Sequence, residues 1–165
     1  MHAKNTKSVK VEPLLIESYL AMAKNSVGSK LFQNLYCKVN GKKTEVLQSG
    51  NLSCAFHISS ILKIFSLIGD TQITVHRAID DMLASGWKEI KKPRIGCVIV
   101  WQPKSANLER MKKDEKTYSS KVKHLGIYIG NEKAVHNSDV KKTPVIDKWN
   151  YRPIEIILWN HKLGK

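Results

Sequence analysis

The sequence predicts an α+β fold in which helices pack on one face of an antiparallel sheet. Segments in the first half carry apolar residues at steps of three and four, which is the spacing of amphipathic helices. The second half carries short apolar runs rich in β-branched residues, two of which flank a Gly-Asn turn. Helices followed by strands favour this architecture over alternating βαβ units.

Length and composition predict one domain with an unusual charge. The 165 residues are 42% hydrophobic, while 28 Lys and Arg against 14 Asp and Glu give a formal net charge of +14. Such a surface attracts polyanions, namely nucleic acid, acidic membranes or anionic cell-wall polymers. Phosphate-loop, Rossmann and nucleophilic-serine motifs are absent. We expect a basic flexible arm at residues 1–11 and a single domain at residues 12–165.

The cysteines and the hydropathy of the sequence indicate whether disulfides, a membrane span or a signal peptide are to be expected. The three cysteines are odd in number and none lies in a CxxC, so neither a disulfide scaffold nor a Cys-only zinc site is expected. No apolar run approaches transmembrane length. The run Leu14–Ile16 is followed by Glu17, which is too short and polar for a signal-peptide core. The localisation is left open: the chain as written has no signal peptide and reads as cytoplasmic, and the sequence does not decide whether the protein is exported.

Four helices and a small hairpin are predicted in the first half. Pro13 suits the first turn of a helix, Gly86 suits the end of another, and Asn40-Gly41 suits a hairpin turn. The predicted helices span residues 13–25, 29–36, 54–69 and 74–85.

Four strands and a long basic loop are predicted in the second half. The continuous apolar run at residues 95–101 is typical of a central strand buried on both faces. Residues 124–129 alternate in polarity, residues 133–137 return after the turn, and residues 154–159 form the last strand. Residues 102–123 show no periodicity and carry seven basic against three acidic residues, so we expect a functional lid or a mobile loop.

Cys54 is the first candidate for chemistry. Asn51 and Ser53 before it are good N-cap residues, and apolar residues follow it at helical spacing. A thiol in a first helical turn lies near unpaired backbone N–H groups and the positive end of the helix dipole, which favour the thiolate. That thiolate would be the nucleophile of a cysteine hydrolase. The alternative is a small apolar core residue.

His124 is the second candidate. It opens a predicted strand and shares a face with Gly126 and Tyr128. Because Gly126 lacks a side chain, we expect the Cys54 helix to approach that face closely and bring the thiol to the imidazole. A Cys and a His distant in sequence, with a polar residue that orients the ring, form the papain-type arrangement. The alternative is a structural or surface histidine.

The register of the last hairpin decides which residue orients His124. If residues 130–132 are unpaired, Gly126 lies opposite His136, and the two histidines are diagonal neighbours with Cβ atoms roughly 7 Å apart. If only residues 130 and 131 are unpaired, every later residue changes face and Asn137 lies opposite His124. We expect the first register, with Asn137 as the alternative.

The order of these features resembles the NlpC-type papain-like cysteine peptidases, which cut bacterial cell-wall peptides. That family shares a helix-start Cys, a Gly-led strand, and His-Val-Gly-Ile-Tyr-Leu-Gly-Asn followed by a polar residue, often His. Gly96–Trp101 matches the strand, and His124–Asn131 matches the last motif almost residue for residue. The resemblance covers about residues 45 to 140. It implies a papain-like fold and hydrolysis of a peptide or amide bond without a cofactor.

The resemblance also implies roles for individual residues. Cys54 would attack the amide carbonyl, His124 would take the thiol proton, and His136 would orient His124. An acyl-enzyme thioester would be the intermediate. The expected partners are a peptide or peptidoglycan-derived substrate and, through the basic surface, an anionic polymer. The expected substrate contacts are Ser53, Tyr128 and Asn137.

The chain departs from the family around the nucleophile. Where the family usually reads Asp-Cys-Ser-Gly, the residues here are Ser53-Cys54-Ala55-Phe56. The family often has Asp after the Gly of the middle motif, and here it is Cys97. The substrate is therefore left open.

Two other interpretations use the same features. Cys54, His57, His124 and His136 are residue types that bind zinc, and the first two share a helix face. A nucleophilic thiol would not serve as a ligand, so no metal is expected. The net charge suggests a non-catalytic binder of nucleic acid or another polyanion on the same fold.

Overall fold

Three α-helices and eight strands make up the part of the chain that the structure describes, residues 9–103 and 123–164 of a computed structural model. The predicted arm lies mostly outside these residues, as does almost all of the basic loop. The elements, in chain order, are α1 (Leu15–Asn25), β1 (Tyr36–Val39), β2 (Lys42–Glu45), α2 (Cys54–Ile64), α3 (Val75–Ala84), β3 (Trp87–Glu89), β4 (Val98–Trp101), β5 (His124–Gly130), β6 (Lys133–Asn137), β7 (Pro144–Lys148), β8 (Ile154–Asn160) and a 3-10 helix at His161–Gly164.

Six of these strands form one antiparallel sheet. Their order is β3-β8-β4-β5-β6-β7, and β1 pairs with β2 in a separate hairpin. All four residues of β4 are buried, as the continuous apolar run predicts for a central strand. The predicted α+β architecture, with helices first and an antiparallel sheet after them, is confirmed.

The sheet is covered on both faces by apolar side chains. Leu125 and Ile127 of β5 join the apolar sides of the three helices in the larger cluster. Trp101 and Ile99 of β4 lie on the other face, in a smaller cluster that includes Tyr151. Because side chains alternate along a strand, His124 and Gly126 lie on the Trp101 face and not on the face that α2 covers.

The β5–β6 hairpin has the expected partners and a different turn. Gly126 lies opposite His136, as predicted. Gly130 pairs with Lys133, so only Asn131 and Glu132 form the turn, both with positive φ. A bulge between Tyr128 and Gly130 holds one extra residue. The two turn residues and the one bulge residue together leave three residues unpaired. His136 therefore lies on the same face of the sheet as it would with the predicted three-residue turn.

The predicted helix at residues 29–36 is wrong. The N–H of Gly28 donates to the carbonyl of Pro144 at 2.9 Å, and Gln33 Nε2 donates to the carbonyl of Lys142 at 3.0 Å. The segment has only a local turn of its own, in which the N–H of Gln33 donates to the carbonyl of Lys30 at 3.2 Å, and the chain around β7 anchors it. Eight residues are also few for a helix without strong packing.

The cysteine helix is shorter than predicted. It ends at Ile64, and Ser66 follows with a φ of 52°. The N–H of Leu67 returns to the carbonyl of Leu62 at 2.9 Å, which closes the last turn. Leu67 and Ile68, which follow the helix, lie in irregular backbone and still pack in the larger apolar cluster. The edge strands β3 and β7 were not predicted.

The expected close approach of a helix to Gly126 is also wrong. A Cβ added there would lie 2.6 Å from Cζ3 of Trp101 and 2.9 Å from the carbonyl oxygen of Val135. The indole of Trp101, which is fully buried, takes the space above Gly126. The glycine therefore admits a tryptophan from the neighbouring strand.

We predict that Gly126→Ala destabilises the protein by about 1–3 kcal/mol, since the added methyl group overlaps a buried ring that has no room to move. Urea unfolding measures the free energy of unfolding. Trp101→Phe removes the overlapping ring atoms, so the double variant should lose less than the sum of the two single losses. Additive losses would contradict this packing.

Candidate active site

Cys54 is the first residue of α2 and lies close to β5. Its N-cap is Ser53, whose side chain makes no capping hydrogen bond and whose Oγ has no partner within the described residues. Only 8% of Cys54 is exposed. The backbone of Ala55 and of Leu125, the residue after His124, lies near the sulfur and acts to lower the pKa of the thiol. The helix start therefore presents the sulfur to the beginning of β5.

Burial dominates the protonation of Cys54. It raises the pKa of the thiol to about 11, against the smaller lowering by backbone hydrogen bonds and by the charge of Arg152. The expectation that the helix start favours the thiolate is wrong for the resting protein. The helix contribution has the expected sign, but desolvation of the anion is larger. At neutral pH only about one molecule in ten thousand holds the thiolate.

A line of buried hydrogen bonds runs from His124 through His136 to Asp147. Nε2 of His124 lies 2.9 Å from Nδ1 of His136. Nε2 of His136 lies 3.0 Å from Oδ2 of Asp147 on β7. Both histidines are at most 5% exposed, whereas the Asp147 side chain is 53% exposed. The line begins at His124, one residue before the Leu125 backbone that lies near the Cys54 sulfur, and ends at the half-exposed Asp147.

Aromatic rings hold the two imidazoles in place. Trp101 stacks on His124 with ring centroids 5.8 Å apart and meets His136 edge-on at 5.6 Å. Tyr151 lies nearly parallel to His136, with centroids 4.7 Å apart and an angle of 15°. Trp101 Nε1 donates to the carbonyl of Trp149 at 2.7 Å, which fixes the indole. The orientation of both histidines is therefore set by packing as well as by hydrogen bonds.

The residues expected to contact a substrate have different surroundings. Ser53 is fully buried, and Asn137 is 2% exposed and donates through Nδ2 to the carbonyl of Gly50 at 2.8 Å. Asn137 therefore supports the loop before α2, and His136 is the residue that bonds His124. Tyr128 is half-buried and meets Trp149 edge-on at 6.1 Å. Substrate contact by these residues stays a prediction.

His57 belongs to a different buried pair. Its Nε2 lies 2.9 Å from Oγ of Ser26, and Ser26 donates to the carbonyl of Ala23 at 2.7 Å. Burial lowers the pKa of His57 to about 3, so the ring is neutral. The ring of His57 packs against the ring of Phe32, with centroids 4.7 Å apart. Within the described residues, no group of three or more His, Cys, Asp or Glu is arranged to hold a metal ion.

Asp147 and Tyr151 were missed by the sequence reasoning. A signal for Asp147 was present, because Pro144 followed by Val145 and Ile146 is typical of an edge strand that begins at a proline. Such a strand paired with β6 brings an acidic residue near His136. Tyr151 follows a turn with no periodicity, so its stacking on His136 had no sequence signal.

Comparison of the sequence with protein-family models and with curated proteins gives no match. Among solved structures, the chain is similar to NlpC2 from Trichomonas vaginalis, with a TM-score of 0.51 and 15% sequence identity. The alignment covers 92% of this chain and 48% of that one, so this chain spans about half of the other's length. At this identity the likeness concerns the fold. The predicted papain-like α+β fold is confirmed, with N-terminal helices on an antiparallel sheet and Cys54 at a helix start.

We predict that alkylation of Cys54 accelerates up to about pH 11, because the thiolate fraction rises with pH until the pKa is passed. Iodoacetamide labelling, with the Cys54 peptide followed by mass spectrometry, gives the rate at each pH. A small free thiol with a pKa near 8.5 is the control and should level off earlier. A Cys54 plateau below pH 8 would show a thiolate stabilised in the resting site.

Proposed function

We propose that this chain is a cysteine hydrolase that cleaves an amide bond, with cell-wall peptides as the expected substrates. The observation that carries the proposal is the line Asp147–His136–His124, which begins one residue before the β5 backbone that lies near the thiol of Cys54 at a helix start. A base, a residue that orients it and a nucleophile are the parts that acyl transfer needs. The papain-like fold supports the same assignment.

The hydrogen bonds define which nitrogen of each ring carries the proton. Burial lowers the pKa of His136 below its ordinary value, so the ring is neutral and has one N–H. Asp147 only accepts, so that N–H is on Nε2 of His136. Nδ1 of His136 must then accept from Nε2 of His124. A neutral His124 with its proton on Nε2 carries the basic lone pair on Nδ1.

This tautomer supplies the base for the first step. The Cys54 thiol gives its proton to Nδ1 of His124 while sulfur attacks the carbonyl carbon of the amide. Backbone N–H groups in the first turn of α2 stabilise the oxyanion. His124 returns the proton to the leaving amine, which leaves a thioester on Cys54. Water, deprotonated by the same nitrogen, then releases the acid and the thiol.

The proton moves during the reaction and not before it. With the pKa of the thiol raised by burial to about 11, the resting site holds Cys54 as a neutral thiol. Proton transfer coupled to attack avoids forming an isolated thiolate in a buried place. The imidazolium that results is stabilised by His136, whose Nδ1 accepts from it, and at a distance by Asp147.

We predict that the purified protein releases peptides from peptidoglycan fragments and that Cys54→Ala releases none. Mass spectrometry of the soluble products identifies the cleaved amide. Cys37→Ala is the matched control, because Cys37 is a free cysteine on β1 with no part in the proposed mechanism, and its replacement should leave release unchanged. Equal release by the protein and its Cys54→Ala variant would contradict the proposal.

We also predict that His136→Ala lowers turnover by roughly 10²- to 10⁴-fold, while Asn137→Ala lowers stability more than turnover. Asp147→Asn should retain more activity than Asp147→Ala, because an amide oxygen still accepts from Nε2 of His136. Turnover and the urea midpoint are measured on the same preparations of the unmodified protein and its four variants. Strong loss of turnover in Asn137→Ala with little in His136→Ala would reverse the assignment.

A second candidate function is polyanion binding at the β1–β2 hairpin. Lys38 lies directly opposite Lys43, and the ammonium of Lys43 sits 4.9 Å from the centroid of the exposed Tyr36 ring. Like charges directly opposite on a sheet repel, and an anion bound between them would relieve that repulsion. Salt-sensitive binding to nucleic acid, with no Cys54-dependent hydrolysis, would favour this function over the first.

A further inference from the structure

Arg152 is a buried cation without an ion-pair partner in the described part of the chain. It lies between β7 and β8, is 8% exposed, and its Nε has no hydrogen-bond partner. Among the residues that the structure describes, no carboxylate forms an ion pair with it. A guanidinium stays charged in proteins, and buried charges are normally paired. Within the described residues, the Nε of Arg152 is therefore left without a hydrogen bond.

The guanidinium belongs to the candidate active site. Its central carbon lies 5.2 Å from the centroid of the Tyr151 ring, which in turn stacks on His136 at 4.7 Å. Burial raises the pKa of the Cys54 thiol and lowers the pKa of His136, and the charge of Arg152 makes a smaller lowering contribution to both. Both ends of the proposed reaction centre are thus within reach of this positive charge.

We propose that Arg152 binds a carboxylate of the substrate beside the scissile amide. The planar fork of an arginine side chain matches a carboxylate with two parallel hydrogen bonds. In a buried site such a pair is screened little by salt, and it would complete the hydrogen bonding of the guanidinium. The inference rests on the proposed function and names its substrate class, an amide with a free carboxylate a few bonds from the carbonyl.

The inference predicts a charge preference that is independent of hydrolysis. Iodoacetate and iodoacetamide alkylate a thiolate by the same displacement: a C–S bond forms, the C–I bond breaks and iodide leaves. They are nearly equal in size and differ by one negative charge. Their rate ratio at Cys54 therefore reports whether the site attracts a carboxylate.

The experiment measures that ratio on the full chain at about pH 9, site by site, by peptide mass spectrometry. We expect the iodoacetate preference at Cys54 to exceed that of N-acetylcysteine amide by about tenfold or more. Cys37 is the internal control, because it lies beside Lys38 and reports what surface lysines do. Raising the salt to about 0.5 M should remove any preference at Cys37 and leave most of it at Cys54.

Two variants assign the effect to Arg152. Arg152→Met keeps the length and removes the charge, so the preference should fall to the reference value. Arg152→Lys should keep part of it. A preference that persists in Arg152→Met, or a ratio at Cys54 equal to the reference, would overturn the inference.

If Arg152→Met does not fold, an experiment on the unmodified protein still tests whether the site prefers a carboxylate. Propionate should protect Cys54 from iodoacetamide at lower concentration than propionamide does, and equal protection would overturn the inference. Alkylation needs no amide cleavage, so these results stand apart from the activity assay. A protein that cleaves peptides without a carboxylate preference would retain the proposed function and lose this inference.

Discussion

The antiparallel pairing of β5 with β6 is the constraint on which the candidate site depends. It places His136 opposite Gly126 and diagonal to His124, so the two rings meet on one face of the sheet. The face is decided by parity, since a shift of one residue would turn His136 towards the helices. Trp101 then fills the space that Gly126 leaves and stacks on His124. The register of the β5–β6 pair therefore determines both the contact between the two histidines and the packing of Trp101 beside them.

The sequence predicted this hairpin because its signals are local. Alternating apolar residues, a Gly-Asn pair and two histidines twelve residues apart are enough to limit the registers to two. The turn itself was predicted less well, because a bulge and a shorter turn give the same parity. Tertiary anchors were beyond reach: residues 29–36 have a helical apolar pattern, yet hydrogen bonds to residues near β7 hold them in another conformation.

The position of Cys54 could be predicted from the sequence, but the pKa of its thiol could not. A cysteine at a helix start is identifiable from N-cap residues and spacing, and both its position and its local N–H groups are as expected. Its pKa depends on how completely α2 and β5 exclude water, which only the packed structure gives. Desolvation of a buried thiolate outweighs the helix contribution. The same reasoning explains why His57, one turn later, is neutral and bonded to Ser26.

Charge is distributed unevenly across the site, and this bears on its chemistry. Asp147 stands at the half-exposed end, where its carboxylate fixes the tautomer of His136 at little desolvation cost. Arg152 is buried near Cys54, where a positive charge favours any anion that forms or enters. Between them, burial keeps the thiol of Cys54 and the ring of His136 neutral at rest. A substrate that brings its own negative charge would satisfy Arg152 and leave His124 as the group that moves the proton. The arrangement thus separates recognition, at the guanidinium, from proton transfer, along the histidine line.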